Sequence, residues 1–165
     1  MPDPDQPQLL IAFSRAAAKA QEIESLLQET LIIVGVAGDT KGRSLEAIAS
    51  EIERLTLGQL KQRYLDGVIG KRIDDPEFAK MWKEVNQERI FLMHKFFQIF
   101  PLASLVGNAE AANRLNHIDQ LLDIGCRMLR DSLELTARMT NMDRSKLRKF
   151  LALVVEVRKR MRPPE

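Results

Sequence analysis

Two residues of this chain can do chemistry together: Arg89 and His94, separated by four residues in the stretch 86–97, NQERIFLMHKFF. A guanidinium forks onto phosphate oxygens and does not lose its charge, so it can steady a phosphorane. An imidazole, with an unperturbed pKa of about 6.5, can take up a proton and return it. Together the two side-chain types suit cleavage of an RNA strand, in which a 2′-hydroxyl attacks the adjacent phosphate. That reaction requires no metal, and the sequence offers no evident carboxylate or cysteine cluster for one. No other pair of polar residues in the chain carries a complete reaction.

The stretch is amphipathic and predicts a helix. Five helical steps rise about 7.5 Å and turn about 140° beyond a full turn, so Arg89 and His94 do not share one face of a straight helix. Arg89 is long enough to swing toward the histidine, and a second copy of the helix can complete a site across a symmetric interface. Glu88 directly precedes Arg89 and is placed to position it. His94 is flanked by Met93 and by Phe96 and Phe97, so its ring enters either the core or an apolar interface. The same spacing also arises by chance in helical proteins, where both residues are ordinary surface groups.

The elements that must hold this pair are helical. Residues 1–7 contain Pro2, Pro4 and Pro7 and predict a disordered tail. From residue 8 onward Leu9, Phe13, Ala16, Ala20, Ile23, Leu27 and Leu31 recur at spacings of three and four, one apolar stripe of a long helix. Glycines 35, 38 and 42 break it, and Ser44 caps a second helix over 45–55. A short helical turn follows at 57–64 and a partly ordered loop at 65–75. Asp74 or Asp75 with Pro76 opens a helix that runs to about Phe100, where Pro101 ends or kinks it. Asn108 caps a long helix ending at Asn141, and Asp143 caps a last one. No strand signal stands out. The expected fold is all-α, an up-and-down bundle of four to five main helices, with one domain over 8–162 and a short tail at 163–165.

Composition agrees. The 165 residues are 45% hydrophobic and 29% charged with 5% aromatic, which favours helices. A net charge of +2 does not by itself announce a nucleic-acid partner. One cysteine, Cys126, excludes an internal disulfide and a cysteine-based zinc site, and its place among Leu122, Leu129 and Leu133 predicts a buried thiol. The start is acidic and unlike a signal peptide. The longest apolar run, 31–37, is far short of the roughly 20 residues that span a bilayer. The expectation is a soluble, cytoplasmic protein with no cofactor.

The pattern around Arg89 resembles the R-x4-6-H signature of HEPN domains, a helical family that includes metal-independent ribonucleases. Ala20-Gln21-Glu22-Ile23-Glu24 with Leu26 and Leu27 is similar to the family's first helix, and Leu57-Gly58-Gln59-Leu60 to a turn upstream of the motif. Glu88, Arg89, Leu92, His94, Phe96 and Phe97 match the motif itself, so the likeness covers residues 20–97. It departs at Ile90, where the family usually carries a polar residue, most often Asn or Asp. The resemblance implies a homodimer of the kind found with bacterial toxin–antitoxin or defence systems, with RNA as substrate and an antitoxin or other protein as partner. In that reading His94 transfers the proton and Arg89 holds the phosphate, with Glu88 positioning Arg89. Ile90 opens a second reading, in which the fold is kept as a non-catalytic interaction module with an apolar surface around Ile90 and Phe97.

Two further groups are candidates for substrate binding. Arg114 and His117 lie at i, i+3 and share a face, an extension of an anion site or an exposed first turn. The segment 143–165 holds eight basic and three acidic residues, while the remainder is slightly acidic. Arg158, Lys159 and Arg160 either complement a helix dipole or touch a phosphate backbone. The absence of interleaved aromatics argues against base reading.

Overall fold

The computed structural model describes residues 6–64, 66, 76–105 and 107–161. Among these residues there is no strand, and the fold is all-α. The elements are α1 (Gln6–Ala37), α2 (Leu45–Glu53), α3 (Leu57–Tyr64), α4 (Pro76–His94), α5 (Phe96–Ile99), a 3-10 turn (Leu102–Ser104), α6 (Ala109–Met139) and α7 (Arg144–Met161). No helix of the described residues is long and apolar enough to cross a membrane.

The helix ends follow local hydrogen-bonding logic. Ser44 accepts at its side chain from the Ala47 N–H, Asn108 Oδ1 from the Ala111 N–H, and Asp143 Oδ1 from the Lys146 N–H. Thr56 and Gln59 form a reciprocal capping box before α3, at 2.9 and 3.3 Å. Asn141 closes α6 with φ +58°, and the Met142 and Asn141 N–H groups donate back to Ala137 and Arg138 in a Schellman arrangement. Two expectations shift. The tail expected over 1–7 does not extend to Gln6 and Pro7, where α1 has already begun. Pro7 fits a first helical turn, where its missing N–H has no partner to lose. The helix expected to continue to about Phe100 is interrupted at Lys95, whose φ is −121°. The remainder of the N-terminal tail, the C-terminal tail, nearly all of the 65–75 loop and the Asp74/Asp75 cap lie outside the described residues.

By contact density the chain divides into two compact units, Met1–Ile23 with Asp75–Met128, and Glu24–Asp74 with Leu129–Glu165. In the first unit, Ala16, Ala20 and Ile23 of α1 are buried, as are Trp82, Val85 and Leu92 of α4 and Leu115, Ile118 and Leu122 of α6. Gly125 sets how closely these helices approach, since a Cβ there would lie 2.7 Å from Val85 Cγ1 and 3.3 Å from Ile23 Cδ1. Beyond the break at Lys95, α5 turns Phe96 inward until it is 1% exposed. Its ring meets those of Phe13, Phe91, Phe97 and Phe100 at centroid distances from 5.2 to 6.4 Å. This aromatic cluster stabilises the turn of chain beyond the interruption. Cys126 is buried, with Sγ 3.5 Å from the Lys19 carbonyl oxygen.

In the second unit α2 packs on α7, with Ile48, Ile52, Leu147, Val154 and Val157 buried. Gly35 lets α1 approach α2, since a Cβ there would sit 2.9 Å from Ile48 Cγ2. Tyr64 is fully buried and donates from its hydroxyl to Ser132 Oγ at 2.6 Å. Burial pushes the phenol pKa above its ordinary value, against the opposing pull of Ser132.

Candidate functional site

Successive residues of a helix point about 100° apart, and α4 sends its motif residues to different neighbours accordingly. Glu88 turns to α6, Arg89 to α1, Ile90 to solvent, and Phe91 beneath a side chain from α6. Arg89 is half-buried, and its Nε donates to the Ala20 carbonyl oxygen at 3.1 Å. His94 is the last residue of α4 and is exposed. Arg89 thus donates within its own unit, while His94 is exposed at the end of α4. Ile90 and Met93 are each 40% exposed and Phe97 37%, an apolar stripe around His94.

Glu88 does not take the expected place against Arg89. Both of its carboxylate oxygens lie on Arg114 Nη2, at 2.7 and 2.6 Å. Position 88 faces α6, so the carboxylate meets the guanidinium from that helix. Arg114 is therefore not the exposed first-turn residue or free anion ligand it was expected to be. Its guanidinium carbon also stands 4.6 Å from the centre of the Phe91 ring, a cation–π contact. Phe91 and Arg114 form the shared wall of two open hollows. One, of about 430 Å³, is lined by Phe91, Ile99, Phe100, Glu110, Asn113, Arg114 and His117. The other, of about 320 Å³, is lined by Gln87, Glu88, Ile90, Phe91, Lys95 and Arg114. The i, i+3 pair Arg114 and His117 does share a face, and that face borders the first hollow.

The chain finds no significant match among family models, curated proteins or solved structures. Its reading therefore rests on residues and geometry.

The C-terminal candidates divide. Arg158, with its side chain 12% exposed, places Nε 2.7 Å from Glu53 Oε1 and Nη1 3.7 Å from Glu29 Oε1. Its Nη2 donates to Gln28 Oε1 at 2.9 Å, so the guanidinium ties α7 to α1 and α2 and is not presented to a substrate. Lys159 and Arg160 are exposed, and Lys159 donates to Glu156 at 3.0 Å. Among the described residues no group of three or more His, Cys, Asp or Glu is placed to hold a metal ion.

Phe91 and Lys95 line the hollows and were not singled out from the sequence. The role of Phe91 is set by Arg114, which lies 23 positions further along the chain. Lys19 is a further polar group in this unit, donating to Asp119 Oδ2 at 2.9 Å and lying 3.5 Å from Asp123 Oδ1. Partial burial lowers its pKa, but the hydrogen bond and charge of Asp119, with Asp123, outweigh that and raise it.

Proposed function

We propose that the chain is a HEPN-like helical protein acting as an interaction module, which pairs with a second copy of itself through the face of α4 and α5. The observation that carries this reading is the solvent-facing stripe of Ile90, Met93 and Phe97. Apolar side chains clustered on one surface favour association, because covering them removes hydrocarbon from water. Ile90, which stands where a polar residue would assist the chemistry, is here part of the surface to be covered. The Arg89 bond to Ala20 supports the same reading, since that arginine is engaged within its own fold.

A second reading is favoured by the exposure of His94 at the centre of the stripe. If two copies associate through this face, two histidines approach a common interface, and metal-independent RNA cleavage becomes the activity. Sedimentation velocity of the wild type and of Ile90→Asp tests the first reading. A concentration-dependent dimer that the substitution dissociates is expected, and a wild type that stays monomeric at all concentrations overturns it. Labelled total RNA incubated in EDTA with the wild type and with His94→Ala tests the second. Cleavage lost with His94, leaving 2′,3′-cyclic phosphate ends, establishes a ribonuclease. No cleavage by either folded protein leaves the module alone.

A further inference from the structure

The hollow of about 430 Å³ lies wholly within the first unit, and Ile90, Met93, His94 and Phe97 of the association face do not line it. Its volume falls in the range of small-ligand sites, about 300–1,000 Å³. The apolar wall is Phe91, Ile99 and Phe100, and the polar wall is one face of α6. Glu110, Asn113, Arg114 and His117 follow at i, i+3, i+4 and i+7, within about 100° of the helix. Arg114 meets Glu88 through Nη2, so the N–H groups of Nε and Nη1 have no acceptor among the described residues. Glu110 and Asn113 have no hydrogen-bond or ion-pair partner among those residues either. A carboxylate four positions before an arginine on a helix ordinarily pairs with it. Here Glu88 has taken the guanidinium, and the Glu110 carboxylate is left on the hollow. The helix dipole favours an acid anywhere in the first turn of α6, so it accounts for the acid but not for the direction it takes.

These walls select by charge. A lone anion would lie beside Glu110 and on a guanidinium whose charge Glu88 already balances. A lone cation would suit Glu110 but would face Arg114, whose remaining donors it cannot satisfy. An uncharged apolar molecule would strip water from both groups without replacing the hydrogen bonds. A molecule with both poles meets each. The Cβ atoms of residues i and i+4 stand about 5–6 Å apart, a gap that an ammonium and a carboxylate on one carbon can bridge. A peptide terminus carries only one of these poles, with an amide in place of the other. The apolar wall then covers a hydrocarbon side chain. We propose that this hollow binds a free α-amino acid with an apolar side chain. Its ammonium meets Glu110, its carboxylate meets Nε and Nη1 of Arg114 with the Asn113 amide, and its side chain lies against Phe91, Ile99 and Phe100.

The test is a titration of the isotope-labelled full chain with L-phenylalanine, followed by amide shifts in its NMR spectrum. Saturable shifts are expected at residues 99–100 and 110–117. Phenethylamine lacks the carboxylate and hydrocinnamate lacks the ammonium. Each is expected to bind about tenfold more weakly, the loss of one charge-assisted hydrogen bond. Glu110 is exposed, so Glu110→Gln is expected to fold. That variant should bind L-phenylalanine about tenfold more weakly, while hydrocinnamate, relieved of the opposing carboxylate, should bind no more weakly than before. Ile99→Ser is the second variant, at a side chain 57% exposed, and should weaken all three probes together by removing part of the apolar wall. The proposal is overturned by the absence of saturable shifts up to the solubility limit of L-phenylalanine, or by shifts centred elsewhere in the chain. Equal affinity for either single-pole analogue also overturns it, as does a folded Glu110→Gln that binds L-phenylalanine like the wild type.

Discussion

The exposed faces of α4–α5 and of α7 are built on the same principle, a helix with one side buried, yet they leave opposite chemistry to water. On α4–α5 the exposed residues include Ile90, Met93 and Phe97, and the nearby Arg114 is occupied by Glu88 and Phe91. On α7 six of the exposed residues are cations, four of them with no ion pair among the described residues, beside the exposed Leu153 and Val155, while Arg158 of the same helix is drawn inward by Glu29, Glu53 and Gln28. A cluster of positive charges therefore does not reveal which of its members are available. A carboxylate on another helix decides that, and it does so one helical direction at a time.

Arg158 and Arg160, two positions apart, test this difference most strongly. Arg158→Ala removes the guanidinium that lies 2.7 Å from Glu53 and 3.7 Å from Glu29 and is expected to cost about 3 kcal/mol. Arg160→Ala is expected to change stability by no more than about 0.5 kcal/mol. Urea denaturation of both variants measures the gap, and equal losses would remove the distinction between the two arginines. Gly125→Ala follows. The added methyl meets Val85 at 2.7 Å inside a packed contact, and overpacking of this kind costs about 1–3 kcal/mol. A variant as stable as the wild type would show that the first unit yields at this point.

What the sequence made legible was mostly local. Ser44, Asn108, Asn141 and Asp143 each act within about four residues of themselves, and each marks a helix end where expected. The interruption at Lys95 is not local, because Phe96 turns inward onto Phe13, which lies 83 positions earlier in the chain. The candidate site follows the same rule. Residue types and spacing make Arg89 and His94 a chemically coherent pair, and their angular separation on the helix is legible too. Which neighbour each side chain meets depends on how α4 settles against α1 and α6. That is why Glu88 holds Arg114, and why Arg158 is structural while Arg160 has no ion pair among the described residues.

The apolar half of the comparison is sharpened by Ile90→Asn. The side chain is 40% exposed, so removing it should alter monomer stability by no more than about 0.5 kcal/mol. Thermal unfolding at low concentration checks this, while sedimentation at high concentration should show weaker association. A large loss of stability would instead make Ile90 a packing residue and take the stripe out of the interaction surface. A gain of RNA cleavage in EDTA would mean that the asparagine restores a dormant site.

The pH dependence has two limbs, and the smaller arises from side chains exposed to water. Tyr64 and Lys19 have pKa values raised above their ordinary 10.0 and 10.5. The stability each contributes is complete below those values and is lost as pH rises through the higher folded pKa. Denaturation midpoints should therefore fall above about pH 10, less so in Tyr64→Phe after correction for its lost bond to Ser132. On the acid side, Arg63 and then Arg43 hold the Glu51 carboxylate below its ordinary 4.5, and the side chain and backbone N–H of Arg43 hold Asp39 below 3.8. These groups contribute stability above their ordinary values, and it is lost as pH falls through the lowered ones. Because Arg43, Glu51 and Arg63 are exposed to water, with only the Asp39 side chain covered, the Glu51 part of the acid limb should be shallow and should flatten further in salt. Denaturation of the wild type and Glu51→Gln from neutral pH downward checks it. A steep, salt-insensitive loss that persists in Glu51→Gln would place the acid sensitivity in carboxylates of the interior and not in this surface chain.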